Sequence, residues 1–237
     1  MTLLALETSC DETSAAVVRD GKVLANTVSS QIQLHAEYGG VVPELAAREH
    51  LRNLIPVAQA ALAEAGVPAG QLDAVAATQG PGLPNALLVG FKAAQAVAFA
   101  LGKPFIGINH HEAHLYSPWI SNVRPASCRQ NASDLVQAAG TTFGFADFAA
   151  FQPNISLIVS GGHTMIVLVK SELNHWVLGG TIDDAAGECF DKTGKLMCWR
   201  IPPGRRSTGW RNRGTRRRLL FRARSCTNPA TISASAA

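Results

Sequence analysis

The chain has 237 residues, 47% of them hydrophobic, with a mean hydropathy of +0.10. This length is enough for one large domain, or for the first of two domains and half of the second. Its longest apolar runs, such as residues 86–89 and 94–101, fall short of the roughly 20 residues of a membrane span, and the N-terminus has Glu7 but no basic region, so neither a span nor a signal peptide is predicted. The five Cys show no paired spacing, which favours a reducing, cytoplasmic location, and the formal net charge of +4 identifies no partner because residues 198–237 alone produce it.

The first half of the chain shows strands alternating with helices. A buried strand is predicted at Leu3–Glu7, and two further strands, Ala15–Val18 and Val23–Thr27, flank the tight turn Asp20-Gly21. A helix is predicted to start at Pro43 and to end at Gly66 and Pro68. Its expected apolar stripe consists of Leu45, Leu51, Leu54, Ile55 and Leu62.

The pattern continues with a strand at Asp73–Thr78, a small-residue helix at Ala86–Leu101 and a strand at Pro104–Ile108. Residues 119–153 show no period and are predicted to be a loop insertion. Strands at Ser156–Val159 and Thr164–Val169 and a helix at Asp183–Met197 then follow. This alternation predicts an α/β architecture.

Two polar turns lie beside predicted strands. The first contains Ser9, Asp11 and Glu12, and the second runs from Ser160 through Gly161 and Gly162 to His163. Adjacent glycines let the backbone approach a ligand, and successive N–H groups can hold an anion. Each turn alone could be an ordinary polar or glycine turn, but two in one α/β chain favour a nucleotide cleft.

Three histidines lie within five residues. His110 and His114 are four residues apart and share a face if the segment is helical, which suits two imidazole ligands of a metal. The metallopeptidase pattern H-E-x-x-H would need histidine at position 115, which is Leu115. The alternative is a surface cluster, and two ligands alone do not complete a metal site.

Three carboxylates, Asp184, Glu188 and Asp191, follow at spacings of four and three residues. On a helix they would share one face, where they could meet water, a cation or a hydroxyl-rich ligand. A solvated acidic face is the simpler interpretation of this segment alone.

The tail differs from the rest of the chain. Residues 198–237 contain ten Arg and no Lys, Asp or Glu, whereas residues 1–197 hold 11 Lys and Arg against 17 Asp and Glu. One interpretation is a basic arm for nucleic acid. We favour an out-of-frame translation after about Met197, because codons shifted by one base can spell AYPPGP and HEPGDYLSFSG over this segment.

The motifs together resemble one family. ETSCDETS, HAEYGGVVPELAAREH, TQGPGLPNALLVG, NHHEAH, VSGGHT and TIDDAAGECFDKT, in this order, are similar to the tRNA N6-adenosine threonylcarbamoyltransferases, formerly called glycoproteases. The resemblance covers residues 1–197 except the insertion, and implies an actin-like ATPase fold. It implies a complete first lobe at 1–118, the insertion at 119–153, the start of a second lobe at 154–197 and a foreign tail at 198–237.

The resemblance also implies an activity and its residues. It implies transfer of a threonylcarbamoyl group from threonylcarbamoyl-AMP to N6 of adenosine 37, in tRNAs that read codons beginning with A. His110 and His114 would match two ligands of one divalent metal, iron or zinc. The substrate would meet Asp191 and the segment Ile158, Val159, Ser160, Gly161 and Gly162.

The family's bacterial members work with tRNA, a paralogous TsaB-like dimerisation subunit and a TsaE-like P-loop ATPase. This chain departs from the family pattern after Met197. In the family, an Asn later in the chain contacts the substrate and a later Asp completes the metal site. We therefore expect impaired activity from this chain. A metallo-endopeptidase and a non-catalytic dimerisation lobe are the alternatives.

Overall fold

The computed structural model describes residues 1–38, 40–117 and 152–196. The predicted tail lies outside the described residues, as does the predicted insertion except for its last two residues. The described residues form two β-sheets with five α-helices between and around them. The predicted α/β class is confirmed.

The first sheet has five strands. They are β1 (Thr2–Glu7), β2 (Glu12–Arg19), β3 (Lys22–Ser30), β4 (Ala74–Gly80) and β5 (Phe105–Asn109), in the order β3-β2-β1-β4-β5. The hairpins β1–β2 and β2–β3 are antiparallel, whereas β4 pairs with β1 and β5 with β4 in parallel. Parallel neighbours bring their carboxyl ends to one edge, so Glu7, Thr78 and Asn109 meet there. This mixed sheet agrees with the α/β class, and the assignment of a first lobe stays a prediction.

The predicted hairpin turn is confirmed at Asp20-Gly21. Both residues have positive φ, 49° and 78°, which a two-residue turn between twisted strands requires. A short helix that the sequence analysis missed, α1 (Ile32–Ala36), follows β3.

Helix α2 (Pro43–Ala65) begins with proline in its first turn and ends at Gly66, which adopts the left-handed conformation. Its predicted boundaries are confirmed, but its predicted apolar stripe is wrong in part. Leu54 is buried, whereas Leu51 and Ile55 are each 66% exposed. The buried face consists of Ala46, His50, Leu54, Val57 and Ala61. The predicted stripe consisted only of large apolar residues, whereas two alanines and a histidine lie on the buried face.

Helix α3 (Pro84–Leu101) packs its small residues closely on the sheet. Ala86, Gly90, Ala94 and Ala98 are its buried positions. A Cβ on Gly90 would lie 2.4 Å from Thr8 Oγ1, so only glycine allows this approach. By length and composition alone, α3 is also the one helix among the described residues that could cross a membrane, which the sequence analysis did not predict. It packs against β4 and α2, and 22% of its residues are buried.

The second sheet has three antiparallel strands, β6 (Asn154–Val159), β7 (Thr164–Ser171) and β8 (Asn174–Gly180). Strands β6 and β7 were predicted from the sequence, whereas β8 was not. Helix α5 (Ala186–Leu196) follows β8.

Helix α4 (His110–Tyr116) continues directly from β5 and connects the two sheets. Its Leu115 is 4% exposed and packs with Ile158, Val167 and Val169 of the second sheet. The Tyr116 hydroxyl accepts a hydrogen bond of 2.7 Å from the Leu173 N–H. Leu115 therefore belongs to a core, and the H-E-x-x-H position is filled by a packing residue.

Candidate metal and nucleotide site

Glu7, at the carboxyl end of β1, organises one side of the site. Its carboxylate accepts hydrogen bonds from the Ser9 N–H and the Thr78 hydroxyl, and lies 3.4 Å from His110 Nδ1. Burial alone would raise the pKa of Glu7, but the hydrogen bonds from His110, Ser9 and Thr78 lower that pKa to about 2. The carboxylate is therefore charged at neutral pH and acts only as an acceptor.

His110 is held by its Nδ1 atom. This atom lies 3.2 Å from Ser9 Oγ and 3.4 Å from the Glu7 carboxylate. Because a carboxylate only accepts, Nδ1 carries the hydrogen and Nε2 presents its lone pair. Asn109 caps the N-terminus of α4. Its side-chain oxygen accepts hydrogen bonds from the N–H groups of His111 and Glu112 at 2.9 and 3.2 Å.

His114 lies one turn further along α4, as predicted. Its Nε2 is 3.1 Å from Nε2 of His110, and the two rings are nearly perpendicular at 83°. Burial, and then the nearby His110, lower the pKa of His114. Its imidazole is therefore neutral at pH 7, and because Nε2 of His110 has no hydrogen, His114 Nε2 donates to it across the 3.1 Å contact.

The two histidines fit half of a metal site. Two nitrogens bound at about 2.0–2.1 Å in tetrahedral geometry lie about 3.3 Å apart, close to the separation found between His110 and His114. A carboxylate behind a ligating imidazole is also the usual supporting contact, and Glu7 takes that place. Within residues 1–38, 40–117 and 152–196, no third His, Cys, Asp or Glu completes a metal-binding group.

The glycine turn between β6 and β7 lies on the other side of the site. It is closed by the Ser160 N–H donating to the His163 carbonyl at 2.7 Å and by the His163 N–H donating to Ser160 Oγ at 2.9 Å. Of the predicted substrate segment, Ile158 is buried in the second core, whereas Val159, Gly161 and Gly162 are exposed.

Helix α5 is attached to this turn through Gly187. The Gly187 N–H donates to the Ser160 carbonyl at 3.1 Å. A Cβ on Gly187 would lie 2.7 Å from Gly161 Cα and 2.7 Å from the Ser160 oxygen. These are backbone atoms that cannot rotate away, so the turn and the start of α5 stay together only with glycine here.

His163 brings the glycine turn and α4 together. Its ring packs edge-on against His111 with centroids 4.3 Å apart, and lies 5.9 Å from the ring of His110. Burial first, and then His110, lower the pKa of His163, so it too is neutral at pH 7. The predicted cleft position of His163 is consistent with this location beside the histidine pair.

The other predicted cleft residues fall into two groups. Ser9 contacts His110, while Asp11 and Glu12 follow it at the start of β2. Lys192 Nζ forms ion pairs with the carboxylates of Asp184, at 2.5 Å, and Glu188, at 3.1 Å. The predicted single helix face is wrong in part, because Asp184 precedes the start of α5. Asp191 lies on α5 and is partly exposed.

Glu7 and Thr78 were not among the predicted site residues. Glu7 ends the apolar strand TLLALE, and an acidic residue at the carboxyl end of a buried strand was the available signal. Thr78 lies in the same position on β4. Neither has a motif of its own, since the contact between them depends on the parallel pairing of β1 with β4.

The sequence model of the tRNA N6-adenosine threonylcarbamoyltransferase family matches residues 22–129 and 138–235. The chain belongs to this family. The second matched range extends into the Arg-rich tail, so the match does not separate the tail from the rest of the chain.

Curated relatives carry the same family description. The tRNA N6-adenosine threonylcarbamoyltransferases of Chlorobium luteolum and Chloroherpeton thalassium are 49% and 50% identical over 204 residues, which is 86% of this chain. The same alignments cover 52% of each relative. This member of the threonylcarbamoyltransferase family therefore spans about half the length of the curated relatives it matches.

Solved structures give weaker matches. YeaZ from Pseudomonas aeruginosa is 20% identical with a TM-score of 0.42, over 75% of this chain and 64% of that one. A protein with similarity to the peptidase YeaZ, also from Pseudomonas aeruginosa, is 29% identical with a TM-score of 0.37 over 49% of each chain.

Proposed function

We propose that this chain is the catalytic first part of a tRNA N6-adenosine threonylcarbamoyltransferase, an acyltransferase acting on threonylcarbamoyl-AMP and adenosine 37 of tRNAs reading codons that begin with A. The observation that carries the proposal is the pair of Nε2 atoms of His110 and His114, 3.1 Å apart and next to the glycine turn. The family match and the names of the relatives support it.

His110 and His114 would hold one divalent metal, iron or zinc. When bound, the metal would act as a Lewis acid and template for the threonylcarbamoyl group. Glu7 and Ser9 keep the hydrogen on Nδ1 of His110 and so keep the Nε2 lone pair directed toward His114. For His114 to bind the metal through Nε2, the hydrogen of its neutral ring would move from Nε2 to Nδ1.

The turn Ser160–Gly162 would bind the phosphate of the adenylate through backbone N–H groups, with Ile158 and Val159 leading into it and Asp191 on the facing helix. In the reaction, N6 of the adenine attacks the carbamoyl carbon and a C–N bond forms. The C–O bond to the phosphate breaks, AMP leaves with the electron pair, and N6 releases one proton.

Several finer parts of the proposal concern the whole protein. We propose tRNA, a TsaB-like dimerisation subunit and a TsaE-like P-loop ATPase as partners, and the cytoplasm as location. We propose that residues 1–118 are the first lobe and 154–197 the start of the second, and that the chain alone is inactive. An incomplete metal group among the described residues supports that inactivity.

A chimera tests the proposal. Residues 1–196 would be joined to the remaining half of the Chlorobium luteolum relative and assayed with threonylcarbamoyl-AMP and tRNA. We expect threonylcarbamoyladenosine from the chimera and none from the 237-residue chain. His110→Ala and His114→Ala should abolish the product, whereas His111→Asn on the same helix should retain it. A chimera that stays inactive when the intact relative is active would contradict the proposal, and cleavage of a glycoprotein would favour the peptidase alternative.

A further inference from the structure

Two buried histidines outside the proposed metal pair form a polar network behind the site. His35 and His50 are both fully buried, and Gln31 and Thr13 between them are 3% and 0% exposed. Buried polar side chains are costly unless each finds a hydrogen-bond partner. Every member of this group has at least one, so the network determines a single arrangement.

The hydrogen positions in the network follow from its partners. His50 Nε2 lies 3.0 Å from the Cys10 carbonyl, which can only accept, so Nε2 carries the hydrogen. Nδ1 of the neutral ring then accepts from the Thr13 hydroxyl at 2.8 Å and from the Gln31 amide at 3.3 Å. The same Gln31 nitrogen donates to the Ala46 carbonyl at 3.3 Å.

His35 completes the arrangement in the same tautomer. Its Nδ1 accepts from the Val42 N–H at 3.3 Å, so its Nε2 donates to the Gln31 side-chain oxygen at 3.1 Å. The orientation of the Gln31 amide is therefore fixed from both sides. Both imidazoles are neutral and each ring nitrogen is used.

The network ends on the turn that carries Ser9. Three successive carbonyls of this turn are each bound by a different element. The Ser9 carbonyl accepts from the Leu83 N–H at 2.8 Å, the Cys10 carbonyl from His50, and the Asp11 carbonyl from the Gln31 N–H at 3.0 Å. Of these three donors, His50 is the one that comes from a side chain.

We propose that His50 is a positioning residue that fixes the Ser9–Asp11 turn and thereby the orientation of His110. Ser9 contacts Nδ1 of His110 with its hydroxyl at 3.2 Å and Glu7 with its N–H. A rotation of the Cys10 peptide would move both groups. His50 lies on α2 and acts on His110 only through this turn, and the inference rests on the proposed metal function of His110 and His114.

Amide hydrogen exchange in the 237-residue chain tests the positioning directly. In His50→Leu, protection of the Ser9 and Gln31 amides should fall by about tenfold more than that of Val75, whose N–H bonds Pro104 at 3.1 Å elsewhere in the sheet. His50→Gln, which retains a donor at the Nε2 position, should restore the protection. Leu54→Ala, on the same buried face of α2, should lower the protection of all three amides equally.

Cobalt binding gives the second readout. We expect His50→Leu to weaken Co²⁺ binding by about tenfold, in the range found for residues that support metal ligands, and His50→Gln to restore it. Equal loss of protection at Ser9, Gln31 and Val75, or Co²⁺ affinity unchanged in His50→Leu, would overturn the inference. If the unsubstituted chain binds no Co²⁺, the two histidines hold no metal without the rest of the site, the chimera decides the proposed function, and exchange alone decides the positioning role. Should His50→Leu not fold, Thr13→Val, which removes the hydroxyl that orients His50, takes its place.

Discussion

The Nε2 atoms of His110 and His114 lie 3.1 Å apart on α4, and the other ring nitrogen of His110 faces Glu7. Residues from both sheets meet beside these two histidines. Glu7 comes from β1 of the first sheet, whereas the turn carrying His163 comes from the second and reaches the same helix.

Glu7→Gln should weaken metal binding. The substitution removes the negative charge that keeps the hydrogen on Nδ1 of His110, so we expect a loss of about 10–100-fold in Co²⁺ affinity. Glu44→Gln is the control, because Glu44 forms an exposed ion pair with Arg48. Equal Co²⁺ affinities for both variants, from an absorption titration, would count against the role of Glu7.

Gly187→Ala should weaken adenylate binding. The added Cβ would lie 2.7 Å from Gly161 Cα, so the turn and α5 must separate. We expect AMP affinity to fall by about tenfold, or about 1.4 kcal/mol. Gly70→Ala is the control, since a Cβ there meets nothing within 4 Å. Calorimetric titration with AMP measures both, and an unchanged affinity in Gly187→Ala would show that the turn does not depend on this contact.

Leu54→Ala and Leu51→Ala should differ sharply in stability. Leu54 is 5% exposed and Leu51 66% exposed, three residues apart on α2. We expect a loss of about 2–5 kcal/mol for Leu54→Ala and about 0.5 kcal/mol or less for Leu51→Ala. Urea denaturation would measure both. Similar losses would mean that α2 buries a different face.

The free energy of unfolding should fall between about pH 7 and pH 5. Burial lowers the pKa of His50 and of His35, against the opposite effect of nearby carboxylates such as Asp11. The unfolded chain therefore binds more protons than the folded one once the pH falls below the ordinary value of about 6.5. Urea denaturation at several pH values should show a smaller slope in His50→Gln. An identical slope would contradict the contribution of His50.

The pattern of the sequence predicted most elements of the fold. Strands β1 to β4 and helices α2 and α3 each have a clear period or a terminating glycine or proline, such as Gly66. Strand β8 was missed because Asn174–Gly180 ends in two glycines and is exposed at all but one position, so it shows no alternation of buried and exposed residues. The buried face of α2 was predicted wrongly because the polar residue His50 lies on it. Hydrogen bonds to its ring nitrogens allow this side chain to be buried, which a pattern of apolar residues does not reveal.

The site was predictable in part. His110 and His114 were found by helical spacing alone, because both ligands lie on one element. Glu7 and Thr78 were missed because they are 71 residues apart and meet only through strand pairing. The contact between His111 and His163 likewise depends on how α4 packs against the second sheet.

The most direct test is a Co²⁺ titration of the chimera that joins residues 1–196 to the remaining half of the Chlorobium luteolum relative, with its variants His110→Ala, His114→Ala and His111→Ala. The proposed site predicts one saturable Co²⁺ per chain in the unsubstituted protein and in His111→Ala, and a loss of that binding in the other two. Equal Co²⁺ binding in all four proteins, or loss in His111→Ala alone, would contradict the metal site and with it the proposed function.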